Sequence, residues 1–137
     1  MLTPNNILWT NDDFTLIDLD EFYQLHRNDA SEGNGVEIWL PSEPTENETK
    51  LAESILTKLS DTSISRNRGI KEGTAGNSNT DYYVNSHTKC DSMVIELGFV
   101  SSTLDNTLFE QNYLDYAKKI SEAILENVYL MYDKDNK

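Results

Sequence analysis

The chain reads as an α/β fold, a mixed or mostly parallel sheet flanked by helices. Three observations predict it. Two segments carry apolar residues at helical spacing, several short segments are rich in β-branched and aromatic residues, and the two kinds interleave along the 137 residues. A chain of this length fits one domain, 1–137, and buries roughly two-thirds of its unfolded surface without disulfide staples.

Taken in order, "NILWT" at 6–10 predicts an edge strand and "EFYQLH" at 21–26 a short strand. The polar run "RNDASEGNG" at 27–35 is a loop, and "GVEIWL" at 35–40 is the next strand. From Pro41 the composition changes. "PSEPTENETKLAESILTKLSD" opens with acids, which suit the positive end of a helix dipole, and then places Leu51, Ile55, Leu56 and Leu59 on one stripe. "KEGTAGNSNTD" at 71–81 is a second loop; "DYYVN" at 81–85 and "SMVIELGF" at 92–99 read as strands. The longest helix is expected over 112–130, with Tyr113, Leu114, Ala117, Ile120, Ile124 and Val128 spaced three or four apart.

Composition excludes several classes of function. Twenty-four acids against eleven Lys plus Arg leave a formal net charge of −13, a field that repels phosphate backbones, so nucleic acid is not an expected partner. No apolar run approaches the ~18 residues of a membrane span. The single cysteine, Cys90, makes neither an intramolecular disulfide nor, alone, a thiolate metal cluster, and reads as a small buried apolar residue. The N-terminus lacks the basic start and apolar middle of a secretory signal, which predicts a protein cytoplasmic as made.

Strand alternation points to the candidate chemistry. Met93, Ile95, Leu97 and Phe99 share one face of the 92–99 strand and Ser92, Val94, Glu96 and Gly98 the other, so both faces are apolar up to Glu96, as in a strand covered by helices on both sides. Glu96 stands at the carboxyl end, where open α/β sheets bind ligands, and apolar walls there raise a carboxyl pKa toward general acid or base work. His26 ends the 21–26 strand in the same way. If the two strands run parallel, His26 and Glu96 emerge on one rim as a minimal hydrolytic or metal pair. The alternatives are a hydrogen-bonded structural histidine and an exposed strand-end acid.

Several segments in register resemble the zinc-dependent N-acetylmuramoyl-L-alanine amidases, the catalytic domains of many bacterial autolysins and phage endolysins. Leu25-His26-Arg27-Asn28 matches an Ile-His-Ala-Asn-like strand end, and Gly35, Val36 and Glu37 a Gly-Val-Glu strand. After the helix come an Arg-Gly-x-Lys segment (Arg68, Gly69, Ile70, Lys71) and a Glu-x-Gly-Phe strand end (Glu96, Gly98, Phe99). The resemblance covers about residues 22–130. It implies an amidase-like fold, peptidoglycan as partner, zinc as cofactor, His26 as a metal ligand, Glu96 as the catalytic acid/base, and hydrolysis of the amide joining N-acetylmuramic acid to L-alanine, at the cell wall after release. Arg68 and Lys71 read either as solvated charges near a turn or as contacts to an anionic wall polymer.

The chain also departs from the family. No histidine precedes position 26, so the opening strand, glycine-rich loop and helix that carry the other zinc ligands have no match, whereas a catalytic zinc takes three protein ligands. His87, Cys90, Asp12 and Asp13 are the candidates for rebuilding the site. The lost opening strand predicts unpaired neighbouring strands and an exposed groove, a place that either the N-terminal residues or a second chain fills. A homodimer or pairing with another chain is therefore expected more readily than for an intact domain. Two further readings stand beside hydrolysis: a non-catalytic wall-binding or regulatory protein, and an acidic inhibitor of a basic partner.

Overall fold

The computed structural model describes the backbone at residues 7–10, 13–18 and 21–129 and the side chains of 23–127. Strands β1 (Ile7–Thr10), β2 (Asp13–Asp18), β3 (Glu21–Asn28), β4 (Val36–Leu40), β5 (Asn67–Glu72) and β6 (Asp91–Phe99) form a single sheet in the order β1-β2-β3-β6-β4-β5. The sheet is mixed. β3 pairs with β6 and β4 with β5 in parallel, while β1 with β2, β2 with β3, and β4 with β6 are antiparallel. Ile7–Thr10 is an edge strand, as its sequence predicts.

Helix α1 (Glu46–Ser60) begins at Thr45, whose hydroxyl accepts from the Glu48 amide while the Glu48 carboxylate accepts from the Thr45 amide. This reciprocal cap is worth about 1 kcal/mol. Glu48 also accepts from the Ser92 amide at 2.9 Å, so the cap ties the helix start to β6. The expected stripe of Leu51, Ile55, Leu56 and Leu59 is buried, each side chain contributing about 1.5–3 kcal/mol of burial energy. Helix α3 (Thr103–Ile124) packs beside α1 on the same sheet face and continues into a π-helical turn, Leu125–Tyr129.

Four sequence expectations are corrected. Residues 81–85 are not a strand: Tyr83–His87 is a short helix, α2, in which the neighbours Val84 and Asn85 both turn inward, an arrangement that strand alternation forbids. The segments β2 and β5 are additional strands; β5, "NRGIKE", is polar because it is an edge strand with only Ile70 packed on the core. Helix α3 starts at Thr103, and its buried stripe runs through Tyr116, Ile120, Ala123 and Ile124, leaving Tyr113 and Leu114 exposed; the side chain of Val128 lies outside the described residues. Finally, α1 and α3 cover one face of the sheet, whereas the other carries α2 and an open groove.

Candidate functional site

The groove is floored by the face of β3, β6, β4 and β5 opposite α1 and α3 and has a volume of about 970 Å³. Alternation builds the floor. Tyr23 and Leu25 of β3, Met93, Ile95 and Leu97 of β6, and Val36, Ile38 and Leu40 of β4 enter the core. Their intervening neighbours Gln24, His26, Asn28, Val94, Glu96, Glu37 and Trp39 line the groove.

Parallel pairing aligns His26 with Glu96, and antiparallel pairing aligns Glu96 with Glu37. The Nδ1 atom of His26 lies 3.0 Å from Oε2 of Glu96, which is only 6% exposed. With Glu96 ionised, Nδ1–H donates to it, the tautomer that places a lone pair on Nε2. The two strand-end groups singled out in the sequence therefore meet. His26 contacts a carboxylate in the manner of a supported metal ligand or base.

Beside them Glu37, nearly fully buried, is held by three donors: Asn28 Nδ2 at 2.9 Å, Trp39 Nε1 at 3.2 Å and Arg68 Nε at 3.0 Å. The Arg68 guanidinium also lies 5.0 Å from the centroid of the Phe99 ring. Arg68 thus orders Glu37 within the groove wall in addition to facing the groove. Lys71, next to Trp39 in the strand register, lines the same side, with Nζ 3.5 Å from the Arg68 carbonyl.

Phe99 corrects the expected alternation. It lines the groove instead of joining Met93, Ile95 and Leu97, because Gly98 takes φ +87° and the β3–β6 register shifts between His26 and Asn28. Asp105, buried at the start of α3, fixes this bend: its Oδ2 accepts from the amides of Phe99 at 2.9 Å and Gly35 at 2.8 Å, and its Oδ1 accepts from Ser65 Oγ. Arg27 sits alongside; burial lowers its pKa, opposed by the attraction of Asp105.

Helix α2, packed on β4 and β6, forms a further wall. Trp39, Val84 and Val94 make a small apolar cluster, with Tyr82 edge-on to Trp39 at 5.5 Å between ring centroids. Burial raises the Tyr82 phenol, opposed by a hydrogen bond with the Ala75 backbone, and the carboxylates of Glu96, Glu37 and Asp29 add to the upward push. His87 lines this wall, stacked on Tyr83. Cys90, half-buried, is not among the lining residues. Asp12 lies outside the described residues, and Asp13 is described only through its backbone.

The fit to zinc is partial. The His26–Glu96 contact suits a metal-supporting imidazole, but no group of three His, Cys, Asp or Glu able to hold a metal occurs among the described residues. The sequence assigns no role to Glu37, Trp39, Asn28 and Asp105, although Glu37 and Asn28 stand in the matched segments. The first two were accessible from the alternation of 36–40, which puts Glu37 and Trp39 on the face that Glu96 occupies.

A family model described as N-acetylmuramoyl-L-alanine amidase matches residues 17–128. The uncharacterized protein YqiI of Bacillus subtilis (strain 168) is 28% identical over 117 residues, 84% of this chain and 52% of that protein. Cwp6 from Clostridium difficile superposes with a TM-score of 0.68 at 25% identity, over 80% of this chain and 18% of its own. The catalytic domain of the CD27L endolysin targeting Clostridia difficile gives 0.63 at 24%, over 79% and 55%. The CwlD amidase from Clostridioides difficile, solved in complex with the GerS lipoprotein, gives 0.60 at 22%, over 83% and 55%. The last two show the fold alone, and the chain spans about half the length of YqiI, of the CD27L domain and of CwlD. With the strand-end pair, the mixed sheet and a family match over most of its length, the chain belongs to the N-acetylmuramoyl-L-alanine amidase family.

Proposed function

We propose that residues 1–137 form one amidase-like domain that acts on peptidoglycan at the cell wall after release, at the amide joining N-acetylmuramic acid to the L-alanine of the stem peptide. The observation that carries this reading is the His26–Glu96 contact on the groove floor, between the two residues for which the sequence resemblance implies chemistry. Glu96 is the proton-transfer group at the amide, and its burial keeps competing water from the carboxylate. His26 is a metal ligand, oriented by Glu96. Lys71, and Arg68 through the donors that its pairing with Glu37 leaves over, offer cationic contacts to stem-peptide carboxylates. Zinc is the family cofactor; its remaining ligands have to come from outside the described residues, whether from this polypeptide or from a second chain.

A second reading, wall binding without hydrolysis, draws support from the single imidazole beside Glu96 among the described residues. Dye release from labelled cell walls, with and without added zinc, separates the two. The hydrolase reading expects metal-dependent release that Glu96→Gln abolishes while the protein remains folded. Release unaffected by Glu96→Gln refutes the assigned role, and wall pull-down that persists in chelator with no release establishes the binding module.

A further inference from the structure

The α2 wall contains a feature that neither the proton-transfer pair nor the cationic side uses. Tyr83 is 76% exposed, the most exposed large apolar side chain among the described residues. Its ring stacks on that of His87, with 3.8 Å between centroids and 15° between planes. His87 is itself restrained, with Nδ1 2.7 Å from Ser86 Oγ and 3.0 Å from the Tyr83 carbonyl. The short helix is anchored by Val84, buried against Trp39 and Val94, and by Asn85, whose side-chain amide donates to the Trp39 carbonyl at 3.2 Å. A rigid aromatic surface is thus held at the groove edge, where ligand ordering costs little entropy.

We propose that the stacked Tyr83–His87 pair is a platform for an N-acetylated sugar ring, directing the glycan strand along the α2 wall. The inference rests on the reading of the groove as a peptidoglycan site and adds the position of the sugar. A pyranose offers one face of C–H groups edged by hydroxyls, which complements an aromatic face with a polar tip. A neutral ligand suits this wall. The chain carries a formal charge of −13, and the wall formed by Tyr82, Tyr83, Val84, His87 and Thr88 contributes neither lysine nor arginine, which favours a neutral ring over an anion there. An N-acetylmuramoyl residue is such a ring, since its lactyl carboxyl is consumed in the amide.

The test titrates the full chain with a neutral N-acetylglucosamine tetramer, followed by calorimetry and by amide shifts in two-dimensional NMR. Binding is expected with shifts centred on residues 82–88. Tyr83→Ala is expected to weaken it about tenfold, the scale of one lost ring stack, and Tyr83→Phe to leave it within about twofold. Because the ring is exposed, both variants are expected to keep the native circular dichroism spectrum. Unchanged affinity in Tyr83→Ala, an equal loss in Tyr83→Phe, or shifts centred elsewhere overturns the platform. Wild-type protein that binds purified walls but not the tetramer also overturns it and leaves the proposed function standing; failure to bind either removes both.

Discussion

Asp105 offers the sharpest test of how the site is held. Its carboxylate joins the end of β6, the residue preceding β4 and the segment before β5, through the Phe99 amide, the Gly35 amide and the Ser65 hydroxyl. In Asp105→Ala the two buried amides lose their acceptor, at about 1–3 kcal/mol each, while the half-buried Ser65 hydroxyl turns to other partners. The expected loss is about 3–5 kcal/mol, a large part of the 5–15 kcal/mol typical of a folded protein. Asp105→Asn separates hydrogen bonding from charge. Its carbonyl oxygen can take the place of Oδ2 and its NH2 group can face the Ser65 hydroxyl as a donor, so all three contacts survive without charge assistance, at a cost of about 1–2 kcal/mol. Urea unfolding monitored by circular dichroism, with slopes compared to ensure that midpoints report stability, measures both. A loss below about 1 kcal/mol in Asp105→Ala, or Asp105→Asn as damaging as Asp105→Ala, would refute this account.

Three further outcomes follow from the same geometry. Gly98→Ala forces a side chain onto φ +87° with its Cβ 3.0 Å from Asp105 Cβ, and is expected to cost about 1–3 kcal/mol in the same assay and to lower wall activity by shifting Glu96; wild-type stability would contradict the strained bend. Arg68→Lys keeps the charge but loses the planar Nε–H donor to the buried Glu37, so a loss of about 1–2 kcal/mol is expected, with Arg68→Ala worse; equal stability of all three proteins would show that Asn28 and Trp39 suffice. Burial raises the pKa of both Tyr82 and Tyr116 above the ordinary 10.0, so the folded state holds their protons longer than the unfolded chain does. Their contribution to stability is therefore whole below pH about 10 and is lost as pH rises through the folded values. An ultraviolet phenolate titration of the wild type against Tyr82→Phe and Tyr116→Phe is expected to assign late ionisation to both residues, and either one titrating as in the unfolded chain would contradict it.

What the sequence determined alone follows from short-range rules. The stripe of Leu51, Ile55, Leu56 and Leu59 behind an acidic first turn specifies α1, because a helix brings positions three and four apart onto one face whatever lies opposite. The alternation in 92–97 specifies which β6 side chains enter the core and leaves Glu96 on the other face, and parallel pairing with β3 then places His26 beside it. Tertiary structure decided what local patterns leave open. Residues 81–85 have strand-like composition, yet form a helix because Val84 and Asn85 satisfy an apolar cluster and a backbone carbonyl on the same side. Segment 67–72 looks like a charged turn and becomes a strand because β4 offers it an unpaired edge. The place of Phe99 depends on Asp105, six residues away, and on Gly35 and Ser65, much further along the chain. Such contacts depend on loop closures between distant segments and on buried polar groups finding partners, which residue periodicity does not encode.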